Sequence, residues 1–185
     1  MRVLVCLSVY AVDTVYYLEP FSLSIEEVKK IMPRRDSIHY IVKQALINDG
    51  WKVTDDPYVI SYGKRFLFVD IGAESFSNGN FEGRFLGMQR ENQKIVVEIK
   101  DFRGKSVIED LEQAIGQYTI YRILLNRIEP AREIYLAVTD VLYDKIFSEP
   151  IGKAIISDLP LKLIIVDLET VEIQQWIPPR MIDKL

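Results

Sequence analysis

The chain has 185 residues, 49% of them apolar and 11% aromatic, which is enough for one domain with a substantial core and excludes a disordered polymer. Lys and Arg number 23 against 27 Asp and Glu, a net charge of −4, so the overall charge is not that of a broad basic nucleic-acid binder. A single cysteine, Cys6, and a single histidine, His39, exclude an internal disulfide framework, a multi-cysteine zinc site and a His-based metal cluster. They also leave no evident Ser–His or Cys–His triad. No apolar run is long enough to span a bilayer; a cytoplasmic location with no membrane partner is the expectation. The chemistry left is that of carboxylates, Lys, Arg, Tyr and amides.

The first segment, up to about Ile31, reads differently from the rest, and three readings fit it. Its one early positive charge and apolar run imitate a signal peptide. Its Val and Tyr content suits an added strand. Met32-Pro33, directly ahead of the patterned region, suits a native start there. That start would make residues 1–31 an upstream extension and residues 32–185 the functional domain. Ser24-Ile-Glu-Glu27 predicts a small helix cap. Beyond it, Ile38, Val42, Ala45 and Leu46 recur at helical spacing, and Asn48-Asp49-Gly50 ends that helix. Asp55-Asp56-Pro57 is a turn, 58–62 a strand, and Gly63-Lys64 a tight reversal into a strand over 65–71. The polar, glycine-containing stretch 75–92 reads as a loop. Residues 94–100 form a strand too apolar for an exposed edge. A long helix over 106–126 follows, with Val107, Leu111, Ala114, Ile115, Tyr118 and Leu125 on its apolar side. Residues 133–138 are a strand, 140–157 are helical with a break at Pro150, and 161–166 and 171–176 are closing strands. Helix, three strands, helix, strand, helices and two strands define an α/β or α+β sheet domain.

Two strands end in charge where packing alone would take an apolar side chain. Alternation puts Phe66, Phe68 and Asp70 on one face of the first. It puts Val96, Glu98 and Lys100 on one face of the second, with Ile95, Val97 and Ile99 on the other. If the strands are neighbours, Asp70, Glu98 and Lys100 converge at one end of the sheet. Two carboxylates and the Ile99 carbonyl suit a Mg²⁺ or Mn²⁺ ion that keeps several waters. Such an ion acidifies a bound water and offsets charge developing on a phosphate, with Lys100 orienting the water or stabilising phosphate oxygens. The same residues also suit an ordinary ion pair.

On the next helix, Gln117 and Tyr121 stand at i,i+4 and form a polar stripe with Gln113, opposite the apolar side. Gln117 suits a phosphate or base edge and Tyr121 a phosphate, an ordinary solvated face being the alternative. Lys43, one turn from His39, suits either a phosphate contact or a plain exposed lysine. Glu74 suits an added carboxylate or a solvated loop. Lys64, Arg65, Arg84, Arg90, Lys94, Arg103 and Lys105 surround these strands; residues 64–105 hold eight basic and six acidic side chains, a local +2. Trp51 and Trp176 read as core or interface anchors.

An opening helix, an Asp ending one strand, Glu-x-Lys on the next and Gln-x-x-x-Tyr on the following helix resemble the PD-(D/E)xK nuclease superfamily. Within it, His39-Tyr-Ile-Val-Lys-Gln-Ala-Leu-Ile-Asn-Asp-Gly-Trp51, Val69-Asp-Ile-Gly-Ala-Glu74, Val97-Glu-Ile-Lys-Asp-Phe102, Asp110-Leu-Glu-Gln-Ala-Ile-Gly-Gln-Tyr118 and Glu149-Pro-Ile-Gly152 resemble a narrower group. This is the XisH family, the fdxN element excision controlling factors of cyanobacteria, and the resemblance spans about residues 33–178. It implies a restriction-endonuclease-like three-layer fold with a mixed central sheet flanked by helices. It implies an accessory factor in programmed excision of a DNA element, working beside a site-specific recombinase and a small XisI partner. Homo-oligomerisation stays open. By the same resemblance Asp70, Glu98 and Lys100 take the catalytic positions, Asp70, Glu98 and Ile99 the metal positions, and Gln117 and Tyr121 the DNA-contacting motif. The pattern departs at Tyr40, where many relatives carry an acid, and in 75–92, which is longer than the family loop. Two functions follow: a metal-dependent endodeoxyribonuclease, or a nuclease-like fold kept as a DNA- or partner-binding module.

Overall fold

The computed structural model describes residues 2–5, 21–24, 34–75 and 93–180, with side chains from Ser37 onward. The expected cap at 24–27 beyond Ser24, the Met32-Pro33 start, Arg84, Arg90 and the 75–92 loop past Ser75 lie outside the described residues. The chain divides into two compact units, residues 1–38 and 39–185. In the first, β1 (Arg2–Val5) and β2 (Phe21–Ser24) pair antiparallel with Val3 opposite Leu23, so this segment does contain extended chain.

Across the boundary runs α1 (Arg34–Asn48). Ile38, Ile41, Val42, Ala45 and Leu46 recur at helical intervals and are all buried. The helix stops where Gly50 takes φ +88°, a backbone state that glycine enters without steric cost. The rest of the second unit is built on β3 (Trp51–Asp55), β4 (Tyr58–Tyr62), β5 (Arg65–Val69), β6 (Ile71–Ser75), β7 (Lys94–Ile99), α2 (Val107–Ile128) and β8 (Arg132–Thr139). A short α3 (Asp140–Leu142), a π-turn (Tyr143–Phe147), α4 (Pro150–Asp158), β9 (Leu163–Asp167) and β10 (Glu172–Ile177) complete it.

Six strands form one mixed sheet in the order β10-β9-β8-β7-β6-β3. The central strand β7 runs parallel to β8 and antiparallel to β6, which explains its nearly unbroken apolar sequence. The parallel β7–β8 step requires a crossover, and α2 supplies it, capped by Ser106 whose Oγ accepts the Glu109 N–H. Leu111, Ala114, Tyr118, Tyr121 and Leu125 of α2 share one core with Val96, Ile134, Leu136 and Val138 of the sheet. The indole rings of Trp51 and Trp176 lie 5.7 Å apart, with Tyr135 edge-on to Trp176 at 5.0 Å and the Arg180 guanidinium 4.3 Å from the Trp176 ring. Both tryptophans are therefore core anchors, as expected. This second unit is a three-layer α/β fold, a mixed sheet flanked by helices.

Two expectations change. The strand expected over 65–71 is two strands broken at Asp70: β5 pairs with β4 in a separate hairpin, and β6 joins the main sheet. Phe66 and Phe68 therefore do not line the main sheet; they are 65% and 59% exposed on the hairpin. The edge strand β3 has no counterpart in the sequence reading, because only Trp51 of its five residues is buried and no alternation survives.

Candidate functional site

The break between β5 and β6 is what builds the site. Ile71 pairs with Val97, so the residue before one and the residue after the other, Asp70 and Glu98, meet at the end of the central strand. The Ile99 amide donates to Asp70 Oδ2 at 2.7 Å, and Lys100 Nζ donates to Glu98 Oε1 at 2.7 Å. Lys100 stays in register because its amide donates to the Ala137 carbonyl at 2.9 Å. The expected convergence of Asp70, Glu98 and Lys100 is thus present.

Glu98 is 5% exposed and lies on the sheet face that packs against α2. Burial pushes its carboxyl above the usual carboxylate range, and the nearby charge of Asp70 pushes the same way. The hydrogen bond and charge of Lys100, with the Asp70 amide, act in the opposite direction but do not cancel the rise. Among the described residues, two acids therefore share this corner with one ammonium group.

Tyr121 differs from its expected place. It is 7% exposed, in the core, and its hydroxyl donates to the Phe68 carbonyl at 3.2 Å. Leu111, Ala114, Tyr118, Tyr121 and Leu125 recur at alternating intervals of three and four, the spacing of a buried helical seam. The polar stripe opposite the apolar side therefore does not include Tyr121. Burial raises its hydroxyl pKa, and the charges of Glu98 and Asp70 add to the rise, which puts Tyr121 beside the pair electrostatically. Gln113 is exposed, whereas Gln117 is half-buried with an Oε1 that is buried and has no hydrogen-bond partner among the described residues. The Tyr40 hydroxyl is likewise buried without a partner, and burial raises its pKa.

Several charged candidates are used elsewhere. Lys43 Nζ lies 2.6 Å from Asp56 Oδ2, and His39 Nε2 2.8 Å from Asp56 Oδ1. Glu74 pairs with Lys94 and Arg132, at the opposite end of β7 from Glu98. Arg103 pairs with Asp101. The basic cluster read from sequence is thus dispersed, and of its described members Lys64 and Arg65 stand together at the hairpin turn, exposed.

A metal can be tested against these donors. Among the described residues no group of three or more His, Cys, Asp or Glu is placed to hold an ion, so a closed protein cage is not built here. Two neighbouring carboxylates beside the Ile99 backbone fit an ion that retains most of its water, as Mg²⁺ does.

Fold and site together define a mixed-sheet α/β domain that gathers two acids and a lysine at the C-terminal end of its central parallel strand. The XisH protein family model matches residues 32–174, and the chain belongs to the XisH family. An XisH family protein from Nostoc punctiforme PCC 73102 is 36% identical, with a TM-score of 0.62 over 75% of this chain and 96% of that one. A fdxN element excision controlling factor protein from Anabaena variabilis is 38% identical, with a TM-score of 0.64 over 77% of this chain and 99% of that one. No curated protein matches the chain. No helix among the described residues is long and apolar enough to cross a membrane.

Proposed function

We propose that this chain is an element excision controlling factor, a cytoplasmic accessory to site-specific DNA excision that hydrolyses a phosphodiester with Mg²⁺ or Mn²⁺ at Asp70 and Glu98. The observation that carries this reading is the pairing of a buried Glu98 with Asp70, countered among the described residues by the ammonium of Lys100 alone. A buried acid next to another acid is unfavourable unless cationic charge shares them, and one lysine leaves the pair short of neutrality. The identity to the fdxN element excision controlling factor protein from Anabaena variabilis supports the excision role; DNA, a recombinase and a XisI-like protein would be its partners.

When bound, the ion would acidify a water and offset charge on the phosphate. Asp70, Glu98 and the Ile99 carbonyl would hold it. Lys100, already aimed at this corner, would hold a phosphate oxygen or the attacking water. Gln117 would meet a base edge only by turning its buried, unpartnered Oε1 outward from the half-buried side chain. Tyr121 would act through Phe68, whose carbonyl it holds, as a positioning residue rather than a phosphate contact. Lys43 would meet a phosphate only by giving up Asp56.

Incubation of the full chain with duplex and branched DNA and Mg²⁺ or Mn²⁺ tests the reading. Wild type should cleave, and Glu98→Gln and Lys100→Ala should each lower the rate by about 100-fold or more, the scale of losing one charge-stabilising group. No metal-dependent cleavage, or equal cleavage by all three proteins, would sink it. The second reading, a binding module without cleavage, is favoured by Tyr40 and by the lack of a third described acid. It predicts a XisI-like partner whose capture depends on the Gln117 face.

A further inference from the structure

The β4–β5 hairpin has two unlike faces. Ile60 and Val69 are fully buried in the α2 core, with Tyr58 and Leu67 packed beside them. On the other side, Val59 pairs directly with Phe68 and Ser61 with Phe66. Val59, Phe66 and Phe68 are 45%, 65% and 59% exposed, so they form one continuous apolar surface rather than scattered side chains. Gly63 alone in the two-residue turn takes a positive φ, the pattern of a tight type II′ reversal, and it carries Lys64 and Arg65 at the tip. Neither of these bases has an ion pair or hydrogen bond among the described residues.

The charge of this hairpin argues for its occupant. Tyr58–Val69 contains Lys64 and Arg65 and no acidic residue, on a chain whose net charge is −4. Exposed aromatic faces flanked by cations match unstacked bases flanked by phosphates. Position argues the same way, because β5 runs straight into Asp70. Phe68 and Phe66 precede Asp70 by two and four residues, about 7 and 14 Å along an extended strand. Tyr121 fixes the Phe68 backbone against the carboxylate corner. Paired bases keep their faces inside the duplex stack, so only unpaired bases can lie on Phe66 and Phe68.

We propose that the outer face of this hairpin, Val59, Phe66 and Phe68 with Lys64 in the turn beside them, binds unpaired DNA bases beside Asp70 and Glu98, Arg65 adding positive charge from the other side of the tip. Forked or flapped DNA is then the preferred substrate over plain duplex. The inference rests on the DNA reading of the carboxylate pair given above, and it is tested without cleavage.

Fluorescence anisotropy of the full chain in EDTA measures affinity for a blunt duplex and for the same duplex ending in an unpaired fork. A 2-aminopurine in the unpaired strand next to the junction reports stacking. Wild type should bind the fork about tenfold more tightly and quench the 2-aminopurine, the scale of one or two base–aromatic stacks. Phe66→Ala with Phe68→Ala should remove both the preference and the quenching while leaving duplex affinity unchanged. Phe66→Leu with Phe68→Leu, which keeps apolar bulk without the ring, should lose them as well and guards against a folding defect. Lys64→Gln with Arg65→Gln should weaken binding to both DNAs and flatten the salt dependence. Equal affinity for the two DNAs overturns the proposal, as does quenching that survives both phenylalanine variants. So does concentration-dependent dimerisation that the phenylalanine variants abolish without any change in DNA affinity, which would make the face a contact between copies. Cleavage lost in Glu98→Gln with no fork preference in wild type would break this inference and leave the nuclease reading standing. Fork preference without metal-dependent cleavage would do the reverse.

Discussion

The two ends of the central strand β7 hold their charges in opposite ways. At the Lys94 end, Lys94 Nζ lies 3.2 Å from Glu74 and 3.6 Å from Glu129, while Arg132 reaches Glu129 at 2.8 Å and Glu74 at 3.5 Å. Two bases meet two acids, Tyr58 donates to Glu129, and the Arg132 guanidinium also covers the Tyr58 ring at 4.7 Å. The hydrogen bond from Arg132 holds the Glu129 carboxyl below its ordinary range. At the Ile99 end two acids meet one base among the described residues, and burial raises Glu98 instead. The same strand thus ends once in a closed ion network and once in an incomplete one. A network that satisfies itself stabilises the fold; one left short of a positive charge is where an external cation or substrate has something to complete.

The largest effect should come from breaking the closed end. Arg132→Ala leaves the part-exposed Glu129 and Glu74 with Lys94 alone and removes the hydrogen bond to the Ile95 carbonyl, and should cost about 1.5–3 kcal/mol in urea unfolding, with the carboxylate corner untouched. A cost below about 1 kcal/mol would remove the contrast between the two ends.

Opposite pH dependences should follow at the two ends. Glu98 has a raised carboxyl pKa in the fold, so its contribution to stability is present below the unfolded value and is lost as pH rises through the folded value. Glu98→Gln, which keeps the neutral form, should therefore melt above wild type at neutral pH, with the gain shrinking in acid. Glu129 has a lowered pKa, so its contribution is present above the unfolded value and is lost as pH falls through the folded one. Glu129→Gln should melt below wild type at neutral pH, and that deficit should shrink in acid. Melting curves across the acid range check both signs, and parallel behaviour of the two variants would contradict the assignment.

The smallest expected change tests the link between the hairpin and the open end. Tyr121→Phe removes only the hydroxyl that holds the Phe68 carbonyl and should cost about 1 kcal/mol in urea unfolding. If DNA cleavage is present, that variant should lose rate by more than its stability loss explains, since the residue positions the hairpin beside Asp70.

Much of this molecule was legible because local pattern and tertiary role coincide. The apolar stripe of α2, the continuous apolar run of β7 and the Glu-Pro-Ile-Gly segment that opens α4 all say what they become. Gly152 shows why that last motif is short-range chemistry: a Cβ there would run into the Ile146 carbonyl and the Phe147 backbone. Other features were illegible for equally physical reasons. Residues 65–71 favour extended chain throughout, and nothing local marks Asp70 as the point where one sheet ends and another begins. Tyr121 can be counted as polar by its hydroxyl or apolar by its ring, and only its spacing from Tyr118 and Leu125 argues for the ring. Alternation puts Phe66 and Phe68 on one face with Asp70, but only the hairpin pairing shows that this face is exposed and that the core lies on the other side of their strand.

Lone Cys6 and lone His39 were enough to exclude most chemistries and to point to carboxylates, and the motifs at 39–51, 69–74, 97–102, 110–118 and 149–152 pointed to the XisH family. Those conclusions depend on residue identity and spacing along the chain, which folding does not alter. Which acids share a corner, which lysines are already paired and which aromatics face water were decided only by strand order. The physical reason is that desolvation and Coulomb energy depend on distance in space: Asp70 and Glu98 lie 28 positions apart in sequence and meet only because β6 and β7 pair.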